Sequence, residues 1–104
     1  MGTPGAMKVR FSHKARQDLV EIARYLAQQN PDRARSYIKE LRTACLELAD
    51  MPNAFEKLGQ TEHRDIRRRT FAPYLIFYQL AENEIRLVRI IHGARDYLRI
   101  LDPS

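Results

Sequence analysis

The stretch that decides the fold is residues 65–92, which read DIRRRTFAPYLIFYQLAENEIRLVRIIH. Three runs rich in β-branched and aromatic residues, 65–71, 74–80 and 85–92, are separated only by the links AP and AENE. Connections this short join neighbouring antiparallel strands. We therefore predict a three-stranded antiparallel meander.

The position of each strand in the sheet follows from where its apolar residues lie. The second and third runs are apolar at both odd and even positions, whereas the first carries Arg67, Arg68 and Arg69 in succession. A strand that is apolar on both faces is covered on both. We expect those two strands to be central or well covered, and the arginine strand to lie toward an edge or to face a polar groove.

The residues before the meander predict a strand and two helices. KVRF at residues 8–11 forms a short strand that ends at Ser12, a good N-cap residue, and Asn30 and Pro31 supply the N-cap and first residue of a second helix. Apolar residues then recur every three or four positions in two stripes, first Ala15, Leu19, Ile22 and Leu26, then Ala34, Ile38, Leu41, Cys45 and Leu48. The short link between the helices predicts an antiparallel helical hairpin, which Pro52 closes.

Two further segments complete the predicted architecture. Residues 53–64 show no sustained period and are expected to form a loop. After Gly93, a short C-terminal helix is expected to start at Arg95 and Asp96 and to pack on the sheet through Ala94, Tyr97, Leu98 and Leu101. The chain is therefore predicted to be an α+β protein, with an N-terminal strand and a helical hairpin packed on a small, mainly antiparallel sheet.

Length and composition are typical of a protein with a single globular domain. A chain of 104 residues with 44% hydrophobic and 30% charged residues suits one globular domain, which we assign to residues 7–104. Residues 1–6 lack the features of a secretory signal and are expected to be an expression scar or a disordered leader. No apolar run approaches the length of a membrane helix, and a single cysteine, Cys45, fits a reducing compartment, so we expect a cytoplasmic protein.

The positive charge is uneven along the chain. The formal net charge is +5, and residues 1–63 hold ten basic against eight acidic side chains, whereas residues 64–104 hold eight arginines against five acids. Such a field favours an anionic partner, either nucleic acid or an acidic polypeptide.

The arginine strand is the first candidate site. Each guanidinium offers five donors suited to phosphate or carboxylate, and strand alternation puts Arg67 and Arg69 on one face and Arg68 on the other. The alternative is a solvated edge strand that its charge protects from aggregation.

The second candidate is His92 with Arg95 and Asp96, at the end of the last strand. An imidazole that titrates near neutrality can move protons, and a neighbouring arginine can stabilise charge on a phosphate. The alternative is that His92 bonds a backbone group and that Arg95 and Asp96 only cap the turn. His13, His63, His92 and Cys45 lack metal-ligand spacing, so neither a metal nor a cofactor is expected.

Three groups of residues, taken in order over residues 9–101, resemble the ParE/RelE superfamily of toxins from bacterial type II toxin–antitoxin systems. They are Ala15, Asp18, Leu19, Ile22, Tyr25, Asn30 and Pro31; then Ile66, Arg67, Tyr74, Phe77 and Tyr78; and the closing HGARD of residues 92–96. The resemblance implies a partner, a small ribbon-helix-helix antitoxin with an acidic tail. Its apolar face would contact grooves flanked by Tyr25 and Tyr37.

The resemblance leaves two activities open. RelE-like members are ribosome-dependent mRNA endonucleases, and in that case the catalytic set would be Lys57, Arg67, His92, Arg95 and Tyr97. The chain lacks the rest of that branch's lysine-rich loop, and Tyr97 stands at a different offset from Arg95. The resemblance is closer to ParE-like members, which inhibit DNA gyrase by binding, with no catalytic residues.

The leading hypothesis is thus a ParE-like gyrase inhibitor that causes growth arrest and serves plasmid stabilisation. Under this hypothesis, the target-binding surface consists of Arg67, Arg69, His92 and Arg95. The alternatives are a RelE-like nuclease with ribosome and mRNA as partners, and a degenerate toxin that retains only antitoxin binding.

Overall fold

The computed structural model describes residues 7–59 and 65–101. The predicted leader and part of the predicted loop, residues 60–64, lie outside this range. Secondary structure follows the predicted order, with strands β1 (Lys8–Phe11), β2 (Ile66–Phe71), β3 (Tyr74–Ala81) and β4 (Glu84–His92) and helices α1 (His13–Ala27), α2 (Pro31–Leu46) and α3 (Tyr97–Leu101). A 3-10 turn, Glu47–Ala49, extends α2. The α+β prediction is confirmed.

The four strands form one sheet in the order β1-β4-β3-β2. β1 is parallel to β4, and the other pairs are antiparallel. The two apolar strands are central and the arginine strand β2 is outermost, as predicted. Loop backbone covers its outer side, because the Leu58 N–H donates to the Ile66 carbonyl at 2.7 Å and the Arg68 N–H to the Glu56 carbonyl at 3.1 Å.

Local capping sets where the two long helices begin. The Ser12 hydroxyl oxygen accepts from the Ala15 N–H at 3.0 Å, and the Asn30 side chain accepts from the Arg33 N–H at 3.1 Å. Pro31 opens α2, where no N–H is needed. The sequence signals at both helix starts therefore act as predicted.

The main core lies between the helical hairpin and one face of the sheet. Burial of these apolar side chains is the principal force that joins the two layers. Cys45 is fully buried there, as its place on the helical stripe predicted. The other buried members are Ala15, Ile22, Leu41, Ala44, Leu48, Tyr74, Ile76, Tyr78, Ile85, Leu87 and Ile90.

A second, smaller core lies on the opposite face of the sheet, where α3 packs. Its buried members are Leu58, Ile66, Leu75, Phe77 and Ile91, and Tyr97, Ile100 and Leu101 of α3 lie against it.

The predicted start of the C-terminal helix was wrong. Arg95 and Asp96 precede α3, and Ala94 is exposed instead of packed. The reason is a turn in which the Ala94 N–H donates to His92 Nδ1 at 3.0 Å and the Arg95 N–H donates to the His92 carbonyl at 3.0 Å. The first helical bond runs from the Ile100 N–H to the Asp96 carbonyl at 3.2 Å, so α3 itself begins at Tyr97.

No helix within residues 7–59 and 65–101 combines the length and apolar character that crossing a membrane requires.

Candidate functional site

The main candidate site is an aromatic groove at the end of the sheet where β3 begins and β4 ends. We define the aromatic groove by Tyr25 of α1, Tyr37 of α2, Tyr74 of β3, and His92 and Arg95. Tyr74 and His92 are direct partners across the sheet, and their rings meet edge to face at 5.3 Å. The Tyr37 ring centroid lies 6.1 Å from that of Tyr74.

The open part of the aromatic groove has a volume of about 320 Å³. Its polar and aromatic lining surrounds the apolar residues Ile22, Ile90 and Ile91 and consists of Tyr25, Tyr74, His92 and Arg95 together with Asp18 and Glu21. Tyr25 is 57% exposed, so its ring adds to the aromatic surface of the groove. An exposed aromatic surface with a polar rim is typical of a site that binds another chain.

His92 presents a hydrogen-bond donor to this groove. Its Nδ1 accepts from the Ala94 N–H at 3.0 Å, so in the neutral ring the proton lies on Nε2. The Arg95 side chain is exposed beside it. Two neighbouring donors suit a carboxylate or phosphate oxygen, and the structure brings together these two predicted residues.

Tyr37 lies next to Tyr74, beside the open part of the aromatic groove, and its hydroxyl is held by backbone contacts. Its hydroxyl lies 3.3 Å from the carbonyl oxygens of both Phe71 and Ala72 and donates to this pair. Burial raises the pKa of Tyr37 to about 12, although the nearby Arg33 guanidinium acts in the opposite direction. Tyr37 therefore stays a neutral donor that ties α2 to the turn between β2 and β3.

Arg67 lies away from the aromatic groove. It pairs with Tyr78, four residues along β3 from Tyr74, a separation of roughly 13 Å at about 3.3 Å per residue. Its guanidinium donates to the Phe55 carbonyl and lies 3.4 Å from the Asn53 side-chain oxygen. Arg67 therefore anchors the loop that follows the 3-10 turn.

Arg69 and Arg68 also have partners within the chain. Arg69 donates to the Ala44 carbonyl at 2.8 Å and to Glu47 at 3.0 Å, at the end of α2. Arg68 points to the other face, where it donates to the Tyr97 hydroxyl at 3.0 Å and to Glu56 at 2.9 Å. Strand alternation thus separates the three arginines as predicted.

The five residues of the alternative catalytic set do not converge. His92 and Arg95 share the aromatic groove, whereas Lys57 lies at the outer edge of β2 in an ion pair of 3.5 Å with Asp65. Tyr97 packs against Phe77 on the α3 side of the sheet, with ring centroids 5.3 Å apart.

One buried polar residue beside the aromatic groove was assigned no role from the sequence. Asp18 of α1 is only 8% exposed. Its two carboxylate oxygens each accept from the Arg89 guanidinium at 2.8 Å, and one of them also accepts from the Ile90 N–H at 2.9 Å. The available signal was its spacing, because Asp18 stands three residues after Ala15 and four before Ile22, on the apolar stripe of α1.

Within the described part of the chain, no group of three or more His, Cys, Asp or Glu side chains is placed to hold a metal ion.

Comparisons with known proteins agree on one superfamily. Residues 9–97 match the model of the ParE toxin of the type II toxin–antitoxin system parDE. The chain is 32% identical over 88 residues to Toxin RelE2 of Caulobacter vibrioides, which covers 85% of this chain and 97% of that protein.

Two solved structures share the fold. The chromosomal ParDE toxin–antitoxin system of P. aeruginosa matches with a TM-score of 0.72 at 20% identity, over 85% of this chain and 97% of that one. The RelBE2 toxin–antitoxin complex of Mycobacterium tuberculosis matches with a TM-score of 0.61 at 19% identity, over 89% and 98%. The family match covers most of the chain, and we conclude that this protein belongs to the ParE toxin family, within the ParE/RelE superfamily of type II toxin–antitoxin toxins.

Proposed function

We propose that this toxin acts by binding DNA gyrase in the cytoplasm and that a cognate antitoxin neutralises it. The proposal rests chiefly on the separation of the residues that a nuclease would need. The Arg67 guanidinium is bonded to the Phe55 carbonyl, and the Tyr97 hydroxyl accepts from Arg68 on the opposite face of the sheet. Catalysis requires the acid, base and charge-stabilising groups within reach of one bond. A binding mechanism has no such requirement.

The aromatic groove is our proposed binding surface. Its rings and its apolar residues suit the apolar face of a peptide or helix, and the donors of His92 and Arg95 suit acidic side chains. A small antitoxin of the ribbon-helix-helix type with an acidic tail would satisfy both parts of this surface. The same chemistry suits an acidic region of gyrase.

The aromatic groove also suggests how neutralisation works. Tyr25 and Tyr37 were predicted from the sequence to contact the antitoxin, and His92 and Arg95 to contact the target. Tyr25, His92 and Arg95 line one groove, and Tyr37 lies beside it against the ring of Tyr74. An antitoxin tail bound there would cover the target-binding residues directly, so the toxin could not hold both partners at once.

Arg67 and Arg69 remain part of the proposed target-binding surface, but we propose that their role there is indirect. Both guanidiniums are bonded within the chain, and only part of each side chain reaches solvent. We expect them to contribute through the shape of the loop and helix end that they hold.

The RelE-like nuclease remains the second candidate because a protein named RelE2 is 32% identical to this chain. A degenerate toxin that retains only antitoxin binding is the third. These candidates differ in what the purified protein does without any partner.

The deciding experiment compares two assays on the same preparation. We expect the protein to block supercoiling by purified gyrase and to leave ribosome-bound mRNA intact. Arg95→Ala should weaken gyrase inhibition by about tenfold, the loss expected for one charge-assisted hydrogen bond. Arg99→Ala, which removes an exposed arginine from α3, is the matched control and should keep full inhibition. Cleavage of mRNA on ribosomes would overturn the proposal.

A further inference from the structure

The register between β3 and β4 changes in the middle of the sheet. Phe77 pairs with Arg89, but the next residue, Tyr78, pairs with Leu87, so Val88 is an extra residue in β4. Such a β-bulge reverses the alternation of side chains beyond it. Before the bulge Leu87 faces the helical hairpin, and after it Ile90 faces the hairpin.

The bulge decides which face His92 occupies. His92 stands two residues after Ile90 and therefore lies on the same face, where its ring meets Tyr74. In a regular strand that continued from Leu87, position 92 would lie on the α3 face instead. The aromatic groove would then lack its imidazole.

Helix α1 supplies the bonds that hold this irregular backbone. β1 ends at Phe11, opposite Leu87, so β4 has no strand on its outer side beyond that point. The Ser12 hydroxyl donates to the Val88 carbonyl at 2.9 Å, and Asp18 accepts from the Ile90 N–H at 2.9 Å. Both carboxylate oxygens of Asp18 also accept hydrogen bonds from the Arg89 guanidinium.

We infer that Asp18 is a positioning residue for the aromatic groove, which acts through Arg89 and Ile90 to keep His92 facing Tyr74. A carboxylate suits this place because it accepts all three hydrogen bonds. An asparagine has one acceptor oxygen and would turn an amide donor toward the guanidinium. The consequence for binding rests on the proposed function, whereas the effect on His92 does not.

The test is an NMR comparison of the full chain with Asp18→Asn. In the parent, we expect a nuclear Overhauser effect between the His92 and Tyr74 rings and slow exchange of the Ile90 amide hydrogen. In the folded variant, the ring contact should be lost, and protection of Ile90 should fall at least tenfold more than protection of Ile76 in β3. A purely global loss of stability would lower both by the same factor and keep the ring contact.

Ile85→Val is the control, since it trims a buried residue of β4 before the bulge and should leave both signals intact. If Asp18→Asn does not fold, Arg89→Lys is tested instead, because lysine keeps the charge but lacks the planar fork that gives each carboxylate oxygen its own nitrogen donor. A folded variant with the ring contact and the Ile90 to Ile76 protection ratio of the parent would overturn the inference.

A gyrase assay on the same samples separates the two proposals. We expect Asp18→Asn to reduce inhibition at least tenfold while Ile85→Val retains it. A parent chain that fails to inhibit gyrase would refute the proposed function, and the NMR result would still decide the role of Asp18.

Discussion

At the scale of single residues, the three arginines of β2 act more as internal anchors than as a basic surface. Arg67 holds the loop around Phe55, Arg68 holds α3 through Tyr97, and Arg69 holds the end of α2. Hydrogen bonds from a charged donor are among the stronger ones in proteins. A run of three arginines in the sequence therefore adds less to the exposed positive field than its charge suggests.

This view predicts that two arginines differ in how much they contribute to the free energy of unfolding. Arg67→Ala should lower the free energy of unfolding by about 2 kcal/mol, because it leaves the loop carbonyls without their charged donor. Arg95→Ala should change it by less than about 0.5 kcal/mol, because Arg95 is exposed. Urea unfolding followed by circular dichroism measures both. Equal stability of the two variants would refute the anchoring role of Arg67.

The buried Cys45 gives a second prediction at this scale. Burial raises the pKa of the Cys45 thiol to about 12, even though Arg69 and Arg42 act to lower it. The thiolate is the reactive form, so at pH 8 the folded protein should resist thiol reagents. Labelling should appear only as urea unfolds the chain, with the same midpoint as circular dichroism. Rapid labelling in native buffer would contradict the burial of this thiol.

At the scale of elements, α3 depends on contacts that its own sequence does not provide. A helix of five residues is too short to be stable alone. It is held by Tyr97, whose ring packs on Phe77 and whose hydroxyl accepts from Arg68. The smaller core is thus covered by α3, and Tyr97 is the main residue that holds α3 in place.

Tyr97→Ala should therefore release α3 and expose the apolar residues beneath it. We expect a clear rise in the fluorescence of an apolar dye such as ANS, with little loss of strand signal in circular dichroism. Arg99→Ala, at an exposed position of the same helix, should leave dye binding unchanged. Dye binding of Tyr97→Ala at the parent level would show that α3 has other sufficient anchors.

Local sequence patterns predicted most of the helices and strands, but not the contacts between them. Alternation and helical spacing identified all four strands and the hairpin, and Ser12 and Asn30 marked the helix starts. The bulge at Val88 was missed because it depends on where β1 ends and on Asp18 from another element. For the same reason, the sequence named the three arginines as site residues but not their partners within the chain.

At the scale of the whole molecule, stability should fall in alkaline solution. Burial raises the pKa of Tyr37 to about 12 and also raises that of Tyr78, whereas tyrosine in an unfolded chain ionises near pH 10. As pH rises from about 10 to about 12, the unfolded chain loses protons that the folded chain keeps, so the free energy of unfolding decreases. Below about pH 10 this contribution is fully present.

Urea unfolding at pH 8, 10 and 11 measures this decline. Tyr37→Phe removes one of the ionising groups, so its stability should decline less steeply than that of the parent over the same range. A parent whose stability is constant from pH 9 to 11, or a variant that declines as steeply, would contradict the assignment.

The proposed function puts both partners of this chain on one surface. The aromatic groove joins residues from α1, α2, β3 and β4 at one end of the sheet. If antitoxin and target use this one surface, toxicity is controlled by competition. In a binding assay with purified proteins, antitoxin and gyrase should then displace each other from the toxin as the concentration of either one is raised.

The most direct test of the central claim is supercoiling by purified gyrase, measured with increasing amounts of this protein and of its Arg95→Ala variant, with mRNA cleavage on ribosomes measured in parallel. We predict that the parent stops supercoiling, that the variant requires about ten times more protein, and that the mRNA stays intact. Normal supercoiling together with mRNA cleavage that Arg95→Ala abolishes would contradict the account.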